Sequence, residues 1–496
     1  MDLVAEARQL VDNLSQRMGP SPYDIAWLAR LRYSGNGLRW PELTDWLLAH
    51  QHRDGSWGAS VVYYHERIIA TLTAAIALAE TAESPAGHEA LRQAERYLWQ
   101  HLHLLRHDPW ELVGFELIMP TLLAEARALG LDMPTHACGY EDIQTSKLRL
   151  IPPDMLYSSH VTTVHSLEFL GQAGDPLLLS QAVNGNGSLG NSPATTAYYL
   201  LRRPDDERAW AYLDRMQTTM GHPVYLYPFA MFELAWVLNN FAFCETPITA
   251  FADHRFWERL HSHITPSGIG LDPTFGIPDG DTTSVTCRLL IEAGYDVAPT
   301  ILASFEDATT RTFRTYDYER NVSVGTNVHA LEALDLMPGY PDREQVRDQV
   351  LLMVLDGCQF NVYWTDKWHT SPYYATSHVL VAILRHGTYL IRTIQPAVDW
   401  LIHAQRPDGS WGFFETGTAE ETAYALIALL HYRRHAHVNL DVLQRGAAYL
   451  AEAYDQIEPP YPELWIGKCL FLPRDVVRSA ILAGLILYEE AFGRSP

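Results

Sequence analysis

Two aspartates, Asp279 and Asp281, have the residue type and the spacing for proton-transfer chemistry. They lie in the segment PDGDTTS, directly before the apolar helical run VTCRLLIEAG, so both carboxyl groups can face one cavity at a helix N-terminus. Repulsion between neighbouring carboxylates keeps one of them protonated, and the other can accept a hydrogen bond that orients the proton. The simpler alternative is that Asp281 or Thr282 only caps the helix, a common use of both residue types.

A repeated turn motif indicates where these carboxyl groups lie. The segments DWLLAHQHRDGSWG from Asp45 and DWLIHAQRPDGSWG from Asp399 are identical at nine of fourteen positions, and NGSLG from Asn186 is a weaker third copy. Each copy predicts a helix, a glycine turn and a second apolar helix. The acidic pair occupies the same place before its helix, and a turn before an inner barrel helix points into the barrel. We therefore expect the acids to be surrounded by aromatic side chains.

The Gln and Trp residues of the repeats are predicted to be structural. Each Gln stands six residues before its Trp, and the Trp can stack on the Gln or cap the following helix. We interpret these residues as contacts that join neighbouring helices rather than as catalytic groups. The residues are Gln51, Trp57, Gln405 and Trp411.

The apolar pattern predicts an all-α fold. Apolar residues recur at helical spacing along most of the chain, whereas strand-like alternation is scarce. Gly and Pro clusters interrupt the helices at intervals of roughly 20 to 40 residues, which favours rings of helical hairpins. Because the two strong repeats are far apart in the chain, we expect two similar helical barrels.

Composition argues against several classes of protein. The net charge of −23 and the lack of a basic run make nucleic acid an improbable partner. Five widely spaced cysteines without a CxxC pair predict reduced thiols in the cytoplasm rather than a zinc finger. No apolar run reaches about 18 residues, so stable membrane insertion is not expected. The acidic N-terminal segment reads as a helix of the fold rather than as a targeting signal.

Together, the DGSWG repeats and the D-x-D-T-T motif resemble the class II terpene cyclases. Within that superfamily the chain is most similar to bacterial diterpene cyclases that make halimadienyl (tuberculosinyl) or kolavenyl diphosphate. The resemblance runs through most of the chain, in the segments SPYDIAW, VGFELIMPTLLAEA, NGSLGNSP, DGDTTS, TNVHALEAL, WTDKWHTSPYY, RPDGSWGFF, AEETAY and PELWIGKCL.

The resemblance implies a domain arrangement and a catalytic acid. Residues 1–18 would form the first helix of a β-like α/α-barrel, residues 19–235 a γ-like barrel, and residues 236–496 the rest of the β-like barrel, without a class I α domain. Asp281 takes the role of the general acid and Asp279 assists it. Many relatives have a third Asp at the position of Thr282. Rearranging bacterial members resemble this chain in having a Thr there, so Thr282 does not indicate loss of activity.

The same resemblance suggests a terminating base. In plant copalyl-type enzymes, a His and an Asn hold the water that removes the last proton. His165 of VHSLE retains the His, whereas Tyr225 stands in place of the Asn. Each residue could instead serve only in helix packing. Loss of half of the pair would give hydride and methyl shifts time to run, which favours a clerodane or halimadane product, kolavenyl diphosphate above all.

The resemblance also implies a diphosphate site with Mg²⁺. Glu66, as metal ligand, and Arg67 match the family's acidic-Arg segment, Lys468 is a candidate phosphate lysine, and Trp364 is a candidate substrate contact. Solvated surface charge is the alternative for the three charged residues. Downstream, a class I synthase or a phosphatase would act on the product.

Other functions fit less well. The segment PDDERAW lacks the spacing of the DDxxD motif that a class I cyclase uses to ionise a diphosphate. Squalene-hopene cyclases carry more repeats and a membrane-docking segment, so geranylgeranyl diphosphate is the preferred substrate, and a copalyl or labdadienyl diphosphate synthase stays an alternative. A prenyltransferase β-subunit shares the barrel but has no use for the acidic pair.

Overall fold

Helices account for most of the structure, which confirms the all-α expectation. The computed structural model describes residues 2–15, 18–33, 37–220, 229–456 and 461–493. In chain order the α-helices of these residues are α1 (Leu3–Asp12), α2 (Pro22–Ala29), α3 (Pro41–Ala49), α4 (Tyr64–Thr81), α5 (Pro85–His101), α6 (Phe115–Ala128), α7 (Tyr140–Leu150), α8 (Pro176–Gln181), α9 (Pro193–Leu200), α10 (Glu207–Met220), α11 (Ala230–Phe241), α12 (His254–His263), α13 (Gly280–Glu292), α14 (Thr300–Ala303), α15 (Val324–Asp335), α16 (Arg343–Asp356), α17 (Pro372–His386), α18 (Ile391–His403), α19 (Ala419–Arg433), α20 (Leu440–Tyr454) and α21 (Arg474–Phe492).

Short strands and 3₁₀ segments complete the described elements. Two antiparallel hairpins are formed by β1 (Gly270–Asp272) with β2 (Phe275–Pro278) and by β3 (Trp465–Ile466) with β4 (Leu470–Phe471). The 3₁₀ segments are Leu102–His107, Thr162–Ala173, Ile248–Ala250 and Thr388–Leu390. No helix within the described ranges is long and apolar enough to cross a membrane.

The chain divides into two compact units, and unit 1 contains a closed ring of helices. Unit 1 comprises Met1–Gln16, Phe229–Pro462 and Pro473–Pro496. Its inner helices α11, α13, α15, α17, α19 and α21 each pack on the next, and α21 packs back on α11. Helices α1, α12, α16, α18 and α20 lie outside this ring against their inner neighbours. The apolar surface of every inner helix is therefore buried on all sides, which explains their continuous apolar sequences.

Unit 2 contains a second ring of the same kind. It comprises Arg17–Pro228 and Glu463–Leu472. Helices α2, α4 and α6 follow one another around the ring, the 3₁₀ segment Thr162–Ala173 takes the next place, and α9 closes it against α2. Helices α3, α5, α7 and α10 pack on the outside of these elements.

One turn motif, here called the latch, precedes inner helices in both units. A residue at the end of the turn donates its backbone N–H to a side-chain oxygen of the following inner helix, over 2.8 to 3.1 Å. Because the bond joins the turn to the helix interior, the turn is held at the end of the barrel. The donor and acceptor pairs are Trp57 and Thr71, Leu189 and Thr196, Ile269 and Thr283, Phe313 and Asn327, Trp364 and Thr376, and Trp411 and Thr422.

The Gln and Trp side chains of the repeats fasten the outer helix of each hairpin. The Trp57 and Trp411 indoles each donate to a carbonyl ten residues earlier, Leu47 and Leu401, over 2.7 Å. Gln51 donates to the carbonyls of Gly55 and Ala90, and Gln405 to those of Gly409 and Val442. The glycines of the two turns have φ of +92° and +90°, a conformation that other residues rarely adopt. These hydrogen bonds to the backbone therefore join the hairpins.

Candidate active site

The acidic pair lies where the sequence places it, at the N-terminus of inner helix α13. Asp279 has an extended backbone, and its carboxylate accepts the Thr282 N–H at 2.6 Å, so it is the N-cap of α13. The predicted alternative, that Asp281 or Thr282 supplies the cap, is therefore wrong. Gly280 is required because a Cβ there would lie 2.0 Å from the carbonyl oxygen of Arg314. With the cap provided by Asp279, the Asp281 side chain in the first turn is available for another contact.

That contact is with a histidine of the neighbouring inner helix. Asp281 Oδ1 lies 2.6 Å from Nδ1 of His329 on α15, and the two residues are 6% and 1% exposed. The other ring nitrogen of His329, Nε2, lies 3.0 Å from Nδ1 of His378 on α17. Neither histidine was predicted as a site residue. The sequence signal that could have found His329 is its place in TNVHALEAL, one of the segments that carry the family resemblance.

Burial and neighbouring charges give Asp279, His329 and His378 different protonation states. Burial, together with the charge of Asp281, raises the pKa of Asp279 to about 8, so Asp279 retains a proton at neutral pH. Burial alone would lower the pKa of His329, but the Asp281 carboxylate outweighs it and raises that pKa. Burial and the neighbouring His329 lower the pKa of His378 far below its usual value. The cluster therefore holds protons on Asp279 and on His329 and keeps His378 neutral.

An ion network behind the site fixes the helices that carry it. Arg288 on α13 donates to Glu332 on α15 at 3.1 Å and to Asn239 on α11 at 3.0 Å. Arg385 on α17 donates to the other oxygen of Glu332, also at 3.0 Å. Since Arg288 and Glu332 are buried, loss of either one would take an ion-pair partner from a buried charge, which is costly. The network thus holds α13, α15 and α17 in register, and with them Asp281 and the two histidines.

Aromatic rings surround the two imidazoles. The Trp236 ring meets His329 edge to face with centroids 5.8 Å apart, and its Nε1 lies 3.3 Å from the Tyr374 hydroxyl. Tyr374 and Phe243 approach His378 with centroids at 4.4 and 5.2 Å. Such faces attract a cation by about 0.5 to 2 kcal/mol each and exclude water. A buried acid in these surroundings is suited to protonating a very weak base and to stabilising the resulting carbocation.

His165 lies in unit 2, on the 3₁₀ segment Thr162–Ala173. Its Nδ1 lies 2.6 Å from the carbonyl of Gly190, which can only accept, so Nδ1 carries the proton of the neutral ring. Burial and the charge of Lys468 lower the pKa of His165 to about 4. A neutral imidazole has the protonation state that a base needs. Tyr225, the other residue predicted for this role, lies outside the described residues.

Lys468 lies next to His165, but its ammonium group is fully occupied. Nζ donates to Glu168 at 2.7 Å, to Ser192 at 2.5 Å, to Thr195 at 3.1 Å and to the His165 carbonyl at 2.7 Å. Lys468 and Glu168 have no exposed side-chain surface. The lysine therefore ties the segment Glu463–Leu472 to its barrel, and this placement supports neither the predicted phosphate contact nor the solvated alternative.

Glu66 and Arg67 also face inward, at the start of α4. Arg67 donates to the Ser56 hydroxyl and the Ala59 carbonyl, each at 2.8 Å, so it fastens the DGSWG turn. Glu66 accepts the Ala59 N–H at 2.9 Å, and burial raises its pKa to about 8. Mg²⁺ prefers ionised carboxylates, which a protonated Glu66 does not supply. Within the described ranges no group of three or more His, Cys, Asp or Glu side chains is placed to hold a metal ion. In its protonated form, bonded to the Ala59 N–H, Glu66 is a poor ligand for Mg²⁺.

Trp364, the predicted substrate contact, takes part in a latch. Its indole donates to the carbonyl of Val354, ten residues earlier, at 2.6 Å, and its backbone N–H donates to Thr376 at 2.9 Å. Both bonds match those of Trp57 and Trp411. Trp364 thus belongs to a further copy of the repeat whose sequence has diverged, and its position favours a structural role.

Comparisons with known proteins agree with the fold. No family model matches the chain. A type B diterpene cyclase of Mycobacterium tuberculosis is 34% identical over 96% of this chain and 97% of its own length. The (+)-kolavenyl diphosphate synthase of Herpetosiphon aurantiacus is 29% identical over 98% of this chain and 97% of its own.

A solved structure extends the likeness to three dimensions. The ent-copalyl diphosphate synthase from Streptomyces platensis is similar with a TM-score of 0.79 and 28% identity, over 98% of this chain and 99% of that one. Similarity to named cyclases along nearly the whole chain, with the same two-barrel fold, shows the family. The protein belongs to the bacterial class II diterpene cyclases, enzymes that isomerise their substrate by cyclisation.

Proposed function

We propose that Asp281 protonates the terminal alkene of geranylgeranyl diphosphate and that the chain closes it into a fused bicycle whose diphosphate is retained. The observation that carries this proposal is the buried Asp281–His329 pair, at 2.6 Å, inside an aromatic-lined helical barrel. An alkene is so weak a base that its acid must be dry, protonated and aimed at one carbon.

The residues around Asp281 keep the acid dry and fix its orientation. His329 occupies Oδ1, which leaves the other carboxyl oxygen to carry the proton that is transferred. A protonated His329 stabilises the carboxylate that remains after the transfer, because opposite charges at hydrogen-bond distance attract each other. Asp279, neutral at pH 7 and occupied by the Thr282 N–H, fixes the start of the helix without adding a second negative charge.

The proposed product is a clerodane or halimadane diphosphate, with kolavenyl diphosphate favoured. Its support is Tyr225 in the place of the Asn that many copalyl-type enzymes use, which would leave the first bicyclic cation time to rearrange. His165, with a pKa of about 4, is the proposed base that removes the last proton. Copalyl or labdadienyl diphosphate is the alternative, since the similar proteins include both a kolavenyl and a copalyl diphosphate synthase.

Mg²⁺ is proposed as a counter-ion held by the diphosphate oxygens of the substrate, because a protonated Glu66 is a poor ligand for it. The product would keep its diphosphate and would be consumed by a class I synthase that ionises it or by a phosphatase. We propose a cytoplasmic setting, in keeping with the five cysteines, which are free thiols in the structure.

Product analysis tests the proposed function. Purified protein would be incubated with geranylgeranyl diphosphate and Mg²⁺, the products dephosphorylated, and the alcohols identified by mass spectrometry and NMR. Wild type is expected to yield a bicyclic C20 alcohol, and Asp281→Asn none. Asp408→Asn, an isosteric change in an exposed turn, is the matched control and should retain activity. Recovery of geranylgeraniol alone from wild type would refute the proposed substrate, and squalene would be tried next.

A further inference from the structure

The chain of contacts from Asp281 does not end at His329. On the far side of that ring, His378 presents Nδ1 to His329 Nε2 at 3.0 Å. The two histidines are 1% and 2% exposed, so water does not replace either contact. The rings cross at 77° with centroids 5.1 Å apart, so the nitrogen of one points to the edge of the other.

We infer that His378 is a positioning residue that holds His329 as an imidazolium donating from both nitrogens, a role that rests on the proposed function of Asp281. Nδ1–H of His329 then donates to Asp281, and Nε2–H donates to the lone pair on His378 Nδ1. A neutral His329 could donate to only one of these partners.

The position of the protons on the two rings follows from their surroundings. The carboxylate of Asp281 raises the pKa of His329, whereas burial lowers that of His378, so the shared proton lies on His329. His378 then carries its own hydrogen on Nε2, an atom that has no hydrogen-bond partner among the described residues. His378 therefore acts as the last acceptor of the chain and passes no proton onward.

This arrangement has a consequence for the acid. When Asp281 takes up a proton, the imidazolium cannot accept it, so that proton stays on the carboxyl oxygen that faces away from His329. Without an acceptor at His378, the Nε2–H of His329 would be buried and unpaired, and His329 would lose its proton at a lower pH. Asp281 would then face a neutral ring that can take its proton.

Other charged groups face His329 and His378 and also affect how activity depends on pH. The titratable and charged groups that face the two rings are Asp281 and Arg288 on α13, Glu332 on α15, His369 in the turn before α17, Tyr374 and Arg385 on α17, and Tyr424 on α19. None of these groups changes when only residue 378 is substituted, so a comparison of variants at that position isolates the acceptor.

The test compares two substitutions in the pH profile of kcat/KM with geranylgeranyl diphosphate. His378→Phe removes the acceptor. The alkaline limb, which is the fall of kcat/KM at high pH, should then move to lower pH by about one unit. At a pH on that limb, kcat/KM should be roughly tenfold lower than in wild type. His378→Gln keeps an acceptor oxygen and should leave the limb within about 0.3 units of wild type. His431→Phe, which removes another buried histidine of the barrel, is the control and should not move it.

The outcomes separate this inference from the proposed function. If both His378 variants lose rate with an unmoved limb, the positioning role is wrong while the role of Asp281 stands. If wild type yields no cyclised diphosphate, the proposed function itself fails.

A measurement on wild type is independent of how the variants fold. In protein with ¹⁵N-labelled histidine, both nitrogens of His329 should give imidazolium shifts at pH 7, assigned with His329→Gln. One unprotonated nitrogen in that ring would overturn the inference.

Discussion

Replacing Lys468 by Met should unfold unit 2 more easily rather than weaken substrate binding. Met has a similar length but no charge. The Glu168 carboxylate would therefore stay buried, with the Tyr23 and Thr195 hydroxyls as its remaining donors among the described residues. Removing one partner of a fully buried ion pair costs about 3–5 kcal/mol. A unit of this size loses about 2–4 °C of Tm per kcal/mol, so the transition of unit 2 should fall by about 6–20 °C.

Calorimetry and urea unfolding would measure the effect, beside kinetics at a temperature where the variant is folded. The double variant Lys468→Met with Glu168→Gln should recover most of the stability, because it removes the stranded charge. KM for geranylgeranyl diphosphate should stay within about twofold of wild type. An unchanged Tm together with a tenfold or larger rise in KM would refute this reasoning. Such a result would favour a contact between Lys468 and the substrate diphosphate.

Two further predictions concern residues that the structure places in the framework. Trp364→Phe and Trp411→Phe each remove an indole N–H bond to a carbonyl, that of Val354 or Leu401, and should each lower the unfolding free energy by about 1–2 kcal/mol with little change in KM. A large KM effect of Trp364→Phe alone would favour a substrate contact. For Glu66, a folded pKa of about 8 means that wild type loses stability as pH rises from about 4.5 to 8, because only the unfolded carboxyl ionises there. The Gln side chain of Glu66→Gln does not ionise. The unfolding free energy of this variant, measured in urea, should therefore rise relative to wild type by up to about 1.4 kcal/mol per pH unit across that range. A difference that stays constant with pH would contradict the assigned pKa.

The sequence predicts the local features of the fold well. The periodic apolar residues are inner and outer helices, and the DGSWG repeats are turns held by Gln and Trp. The pair Asp279 and Asp281 starts an inner helix, as its place before VTCRLLIEAG indicates. Each of these features is marked by residues that lie close together in the chain, so local spacing carries the information.

The partners of the acid depend on contacts that spacing does not encode. His329 is 48 residues from Asp281, and His378 another 49, because each lies on a different helix of the ring. Closing the ring, rather than any local pattern, brings their side chains together.

The structural contacts of Lys468 and Trp364 could not be predicted for a similar reason. The segment Glu463–Leu472 returns to unit 2 from the far end of the chain, so nothing near Lys468 in sequence shows that Glu168 is its partner. Trp364 lacks the DGS residues that precede Trp57 and Trp411, and only its hydrogen bonds reveal the repeat.

The most direct test of a reaction started by Asp281 is cyclisation of geranylgeranyl diphosphate in D₂O, with mass spectrometry of the intact diphosphate. Protonation of the alkene by an exchangeable carboxyl predicts a bicyclic diphosphate that carries one deuterium, and no product from Asp281→Asn. An unlabelled product, a product that has lost its diphosphate, or full activity in Asp281→Asn would contradict the account.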